Sequence, residues 1–268
     1  MKSSLRNFLA ELLCHALTTP VKLGDLLWMV GFCTIADREH SPMVPVDFLE
    51  PELSRLEEEG RSCGLNLPAR SFPKFLQLVY EGKPVSSERW SEGQRDRGAF
   101  MIRWNADTSL PVHSLRLLSD TYWSIVLELK PNETIVFGDL ERLLKIGSGL
   151  FNRGLFFEFH ELLEEPWFRA RGLQKQFLQG IIQIAVGFYR LQARKLRGCL
   201  QLLREGEEKM APLAPVFLGL DVREFLDGIA ACRAMIARLG EQAPDQFDWA
   251  SIPLMRSVPD TRGIDPRD

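Results

Sequence analysis

The chain has 268 residues, of which 45% are hydrophobic, enough for one large domain or two ordinary ones. Its formal net charge is −3, and its halves have similar charge, so no basic half indicates a nucleic-acid-binding protein. No apolar run reaches the roughly 18–20 residues of a membrane span, and the first residues lack the uninterrupted apolar stretch of a signal peptide. We therefore expect a soluble cytoplasmic protein of bacterial type, with two domains.

The cysteines are scattered and odd in number, and none has the C-x-x-C spacing of a zinc or redox site. They are Cys14, Cys33, Cys63, Cys199 and Cys232. We interpret them as reduced thiols of the core.

Residues 1–147 are predicted to form a helix-rich α+β domain of unknown role. Helical periodicity and strand composition are the signals. The predicted helices are 3–17, 21–35, 52–60, 114–129 and 138–146, and the predicted strands are 99–104 and 134–137. The polar segment 82–98 is rich in Gly, Ser and charged residues, which predicts an exposed loop.

Longer amphipathic helices follow, and the sequence Gly147-Ser148-Gly149 predicts a domain boundary. The predicted helices of the second domain, residues 148–258, are 152–168, 173–192, 196–210 and 221–239. Residues 259–268 are predicted to be a flexible tail. The predicted fold class is mainly α, with a C-terminal multi-helix bundle preceded by a helix-rich α+β domain.

One histidine of the second domain has carboxylates close to it in sequence. At about 100° per residue, four residues share the helix face that we predict to point inward: Phe156, His160, Leu163 and Trp167. Glu164 lies beside His160 and Glu161 lies on the flank, whereas Glu158 and Glu165 are predicted to point away.

The next helix carries Gly180, Gln183 and Gly187 in one row, at spacings of three and four. Glycine destabilises a helix interior by about 1 kcal/mol relative to alanine, so this row predicts a close approach of backbones. If the two helices are antiparallel, Gln183 meets His160 and Glu164.

Two interpretations of this group stay open. In the first, His160 donates a hydrogen bond to Glu164 or Gln183 in a buried network that fixes the packing of the helices. In the second, His160 and Glu164 supply two ligands of a metal site, or an acid/base pair, with Glu161 or Gln183 as the third member.

The second domain resembles the domain of unknown function 309 family. The resemblance rests on the runs 154–167 and 177–185, on Leu-Arg-Gly at 196–198 and on Gly-Leu-Asp-Val at 219–222. It implies a small all-α bundle without an established activity. The family pattern falls on nine polar and aromatic residues: Glu158, His160, Glu161, Glu164, Glu165, Trp167, Gln179, Gln183 and Tyr189. Five of them are candidate binding residues: Glu158, Trp167, Gln179, Gln183 and Tyr189.

This chain departs from the family pattern after Tyr189. Arg190 replaces a histidine, which weakens the metal hypothesis, and Arg194-Lys195 replaces a Gly-Asn turn. With Arg197 and Arg204 these residues form a basic cluster that predicts contact with phosphate or an acidic protein partner.

A shorter segment, about 121–147, resembles the winged-helix part of the alkylguanine-DNA alkyltransferase family. The matching residues are Trp123, Pro131, Glu133, Thr134, Phe137, Gly138, Asp139, Leu140 and Leu144. That chemistry needs a nucleophilic cysteine within Pro-Cys-His-Arg, which is absent from the sequence. The resemblance therefore implies a remnant fold without repair activity.

The sequence contains no phosphate loop, dinucleotide fingerprint or catalytic triad. The leading hypothesis is a non-enzymatic interaction or scaffold module whose partner is a protein or a second copy of the chain. The alternatives are a metal-dependent enzyme around His160, Glu161 and Glu164, and a nucleic-acid-associated protein without alkyltransferase activity. The sequence identifies neither a cofactor nor a substrate, and no membrane contact is expected.

Overall fold

The computed structural model divides the chain into two compact units, residues 1–134 and 135–268. The structure describes residues 3–69, 71–80, 83–85, 100–104, 112–135 and 139–258. Of the predicted loop 82–98, only residues 83–85 are described, and they form a short strand. The predicted tail 259–268 lies outside the described residues.

The first unit combines helices with a small antiparallel sheet. Its helices are α1 (Ser3–Thr18), α2 (Leu23–Arg38), α3 (Val46–Ser62) and α4 (Val112–Leu129). Its strands are β1 (Met43–Pro45), β2 (Leu76–Tyr80), β3 (Lys83–Val85) and β4 (Phe100–Trp104), in the order β1-β4-β2-β3. Helix α2 packs against α1, α3 and α4, and it is buried along most of its length because its apolar residues surround the axis.

Two predictions for residues 1–147 need correction. Helix α3 begins at Val46 rather than at residue 52, with Pro51 inside it, because the buried residues Val46, Leu49 and Leu53 continue the helical period across the proline. The strand predicted at 134–137 is not formed at Thr134 or Ile135, and residues 136–138 lie outside the described part of the chain.

The second unit is helical apart from a two-stranded hairpin. Its helices are α5 (Leu140–Phe151), α6 (Phe156–Arg169), α7 (Gly172–Gln192), α8 (Leu196–Met210), α9 (Val222–Leu239) and α10 (Ala243–Gln246). The hairpin strands are β5 (Val216–Phe217) and β6 (Leu220–Asp221). The backbone N–H of Glu224 donates to the Asp221 side chain at 2.9 Å, which is the capping contact that the sequence predicts. The mainly α fold class and the helical C-terminal region are thus confirmed.

The glycines of the predicted boundary lie inside α5. This helix starts at its cap Asp139, whose side chain accepts from the backbone N–H of Arg142 at 3.1 Å. A Cβ on Gly147 would lie 3.0 Å from the Phe159 ring, so this glycine lets α6 pack closely against α5. Gly147 thus belongs to a helix contact, and the second compact unit includes the residues from Ile135 onward.

Helix α7 is antiparallel to both of its neighbours. Trp167 near the end of α6 contacts Lys175 near the start of α7, and Phe157 contacts Tyr189. At the other side, the amide of Gln176 donates to the carbonyl oxygen of Lys209 at 2.8 Å, near the end of α8. Helix α7 therefore lies between α6 and α8. Among the described residues, no helix is both long and apolar enough to span a membrane.

Candidate functional site

The rotation of α6 about its axis is set by a cluster of aromatic rings. Phe156 and Phe159 lie 5.2 and 5.5 Å from Phe151 of α5, measured between ring centroids. Leu162, Leu163 and Pro166 extend the same buried face. At about 100° per residue, this face is centred roughly 80° from the direction of Phe156, His160 and Trp167. The predicted inward face is therefore the flank of the real one.

This rotation corrects the prediction for Glu158. Its side chain was expected to point away from the core, yet the residue is 0% exposed. On the helical wheel it lies at the edge of the buried face, on the side opposite His160. Glu165 is exposed, as expected, and pairs with Arg169.

His160 lies at the border between core and solvent, with 24% of its side chain exposed. Its ring centroid lies 5.9 Å from that of Phe157, whose ring in turn lies 5.0 Å from Tyr189 of α7. Burial lowers the pKa of His160 below its ordinary value of 6.5, and the nearby carboxylate of Glu164 opposes this shift. The neutral imidazole, which is the form that binds metals, is therefore favoured near neutral pH.

The structure brings His160, Glu161 and Glu164 together. One ligand atom from each residue lies within 4.8 Å of the others. His160 Nδ1 lies 3.4 Å from Glu161 Oε1. This contact is long for a hydrogen bond, because N–H···O bonds are usually about 2.7–3.2 Å between heavy atoms.

The same distance suits two ligands of one metal ion. Two atoms bound to zinc at about 2.1 Å and at the tetrahedral angle lie about 3.4 Å apart. Within the described part of the chain, His160 Nδ1 is buried and has no hydrogen-bond partner. The geometry thus differs from the satisfied network of the structural interpretation, in which His160 donates to Glu164 or Gln183.

The Gln183 side chain lies on the side of α7 that faces α8. Its amide nitrogen donates to Glu205 of α8 at 2.7 Å, and Gln201 donates to the same carboxylate at 2.8 Å. Glu205 was not singled out by the sequence, although its position four residues after Gln201 on one helix was a usable signal. The predicted contact of Gln183 with His160 and Glu164 is replaced by this interhelical bond.

The glycine row explains why Gln183 meets α8. A Cβ on Gly180 would lie 2.5 Å from Met210 Cγ, and one on Gly187 would lie 3.0 Å from Leu203. The row therefore faces α8, where Gly206 is equally confined by Gly180 and Ile184. The predicted close approach of backbones is confirmed, and the partner is α8.

A second unpaired polar atom lies on the exposed flank of α6. Trp167 is half-buried, and its Nε1 has no hydrogen-bond partner among the described residues. Lys175 Nζ lies 5.2 Å from the centroid of the indole. Gln179 and Tyr189, two further residues of the family pattern, are half-buried on α7.

The basic cluster lies around the turn between α7 and α8. Arg194 makes two hydrogen bonds of 2.7 Å with the carboxylate of Asp245, and Arg204 lies 3.7 Å from Glu208. In the described part of the chain, no ion pair engages Arg190, Lys195 or Arg197. The cluster is thus divided into paired and unpaired cations.

The comparisons with known proteins agree with the resemblance seen in the sequence. The family model for a Domain of unknown function (DUF309) matches residues 144–202. This segment contains the end of α5, all of α6 and α7 and the first part of α8, and therefore His160, Glu161 and Glu164. No curated protein and no solved structure gives a significant match.

Proposed function

We propose that the second unit is a metal-binding helical module, with His160, Glu161 and Glu164 as ligands of one divalent transition-metal ion. The supporting observation is the convergence of one nitrogen and two carboxylate groups, with His160 Nδ1 and Glu161 Oε1 at the spacing of two zinc ligands. A mixed nitrogen and oxygen set favours zinc or a similar ion over calcium and magnesium. The exposed Glu164, whose ligand atom lies within 4.8 Å of those of His160 and Glu161, completes the set.

Three protein ligands leave at least one coordination position open. This is the pattern of catalytic zinc sites, in which the ion lowers the pKa of a bound water to about 7. The proposal therefore extends to a metal-dependent enzyme, and it replaces the interaction or scaffold module as the leading hypothesis.

The test is a titration of the metal-free protein with Zn²⁺ and with Co²⁺, followed by calorimetry and by the visible spectrum of Co²⁺. One bound ion is expected. His160→Ala and Glu164→Gln should each weaken metal binding by at least about tenfold, because the loss of a residue that only supports a ligand already lowers metal affinity by about that factor. Glu165→Gln is the matched control, because this neighbouring glutamate is exposed and pairs with Arg169.

Absence of binding in the wild-type protein would refute the metal site. The same conclusion follows if Glu165→Gln weakens binding as much as Glu164→Gln, since the ion would then be held only by general negative charge. Thermal unfolding of each variant separates loss of a ligand from loss of the fold.

An interaction module with an acidic partner is the second candidate, supported by the unpaired Arg190, Lys195 and Arg197. Polyglutamate and duplex DNA are suitable probes, with binding expected to weaken steeply as salt rises. Replacing these three residues by glutamine should abolish binding, whereas Arg194→Gln, which removes a cation already paired with Asp245, should change it less. Binding of DNA alone would favour the nucleic-acid alternative, and equal effects of all substitutions would argue against a defined site.

A further inference from the structure

The exposed flank of α6 carries more than the three proposed ligands. His160 and Trp167 are seven residues apart, so they project within about 20° of each other. Glu164 lies between them along the helix axis and projects about 40° from His160 and about 60° from Trp167. Each of the two aromatic residues has one buried polar atom without a hydrogen-bond partner in the described part of the chain. The two unpaired atoms thus belong to one row of the helix.

The chemistry of Trp167 restricts what can complete this row. The indole N–H donates and cannot accept, so its partner must be a hydrogen-bond acceptor. A buried donor without a partner destabilises a protein, whereas a hydrogen bond to a charged acceptor is stronger than one to a neutral acceptor. An anionic oxygen therefore fits this position best.

Lys175 adds a positive charge at the same place. Its Nζ lies 5.2 Å from the centroid of the Trp167 ring and 3.5 Å from the carbonyl oxygen of Phe168. Neither contact neutralises the ammonium charge, because one partner is a π-system and the other is a neutral carbonyl. The end of the row is therefore electropositive, in contrast to the carboxylates at its middle.

The direction of helical side chains brings Trp167 toward the proposed ion. Side chains of an α-helix tilt toward its N-terminus, so the long indole covers the turn that carries Glu164. Trp167 follows Glu164 by three positions, a rise of about 4.5 Å along the axis. A small ligand spans this distance.

We infer that the row binds a small dianionic ligand of the dicarboxylate class, with one carboxylate on the metal ion and the other on Trp167 Nε1–H and Lys175. This inference rests on the proposed metal site, which supplies the first anchor. The second anchor is independent of the metal ligands and distinguishes a ligand with two charged ends from one with a single charged end. Lys175 and the indole shift to admit the second carboxylate, since Nε1 is buried in the structure.

The experiment uses the full chain loaded with Co²⁺, and it follows the Co²⁺ spectrum as succinate or acetate is added. Succinate is expected to bind about tenfold more tightly than acetate, because hydrogen bonds to its second, charged carboxylate add about that factor to the affinity. Trp167→Phe keeps the aromatic ring but removes the donor, and Lys175→Gln removes the charge. Both should reduce succinate affinity to that of acetate while leaving Co²⁺ affinity within about twofold, because neither residue is a ligand. Lys145→Gln, which replaces an exposed lysine of α5, is the matched control and should leave the preference unchanged.

The outcomes separate the two proposals. If Co²⁺ does not bind in the absence of carboxylates, the proposed function fails and the inference fails with it. If Co²⁺ binds but succinate and acetate bind equally, or if Trp167→Phe and Lys175→Gln keep the succinate preference, the inference alone is overturned. Loss of the preference in Lys145→Gln would also overturn it, because the effect would then be one of general charge.

Discussion

Helix α7 has two neighbours, and the two interfaces differ in how they treat polar groups. Toward α8, glycines bring the backbones together, and Gln176 and Gln183 each donate a hydrogen bond across the interface. Among the described residues, Gln183 Oε1 is the one side-chain polar atom of this interface that is buried without a partner. Toward α6, the flank is half-exposed, and His160 and Trp167 each keep a polar atom without a partner among the described residues. The α7–α8 interface is thus the more closely packed of the two, and the α6 flank is where we propose the metal site.

The largest effect on stability is expected from adding a side chain to a glycine at the α7–α8 interface. A Cβ on Gly206 would lie 2.6 Å from Ile184 Cγ1 and 2.7 Å from the carbonyl oxygen of Gly180. Backbone cannot yield as a flexible side chain does, so Gly206→Ala should lower the free energy of unfolding by about 1–3 kcal/mol. Chemical denaturation measures this change.

Gly198→Ala provides the control on the same helix. A Cβ there would lie 3.9 Å from the Arg190 side chain, an ordinary contact. Removing a glycine from a helix should then raise the free energy of unfolding by up to about 1 kcal/mol. Equal destabilisation by the two substitutions would contradict the assignment of α7–α8 as the tightly packed interface.

A smaller effect on the free energy of unfolding is expected from the protonation of His160 on α6 at low pH. Burial is the main cause that lowers the pKa of His160 in the folded state. The unfolded chain therefore binds a proton at this residue more readily than the folded protein does. Stability contributed by the neutral imidazole is present above the unfolded pKa of about 6.5 and is lost as pH falls through the lower folded pKa. His160→Leu should therefore flatten the decrease of stability on acidification.

The measurement is denaturation at a series of pH values below neutrality, with a chelator present to remove metal ions. The difference between wild-type and variant isolates His160 from the other titrating groups. A parallel shift of the two curves at all pH values would contradict the prediction, because it would show a change of packing without a change of proton binding.

The sequence alone predicted most helices of the described chain, because hydrophobic period and capping residues are local signals. The capping pair Asp221 and Glu224 and the long helix α7 are examples. It was less successful at short elements such as β1 and β2, where strand pairing between distant segments decides the structure. It also placed the start of α3 too late, because Pro51 outweighed the helical period around it.

The candidate site was predicted in part. The grouping of His160 with Glu161 and Glu164 follows from spacings of one and four residues on a helix, which the sequence contains. The pairing of Gln183 with Glu205 does not, because it depends on which neighbour the glycine row faces. The same holds for Glu158, whose burial depends on contacts outside its own helix.

The sequence by itself determined the mainly α fold class, the family resemblance of the helical segment and the residues that form the row on α6. Only the tertiary structure decided which side of α6 is buried, because the ring cluster of Phe151, Phe156 and Phe159 turns the helix. It likewise decided that α7 presents its glycines to α8. The physical reason is that periodicity fixes the angles between residues of one helix, whereas the rotation of the whole helix depends on packing against its neighbours.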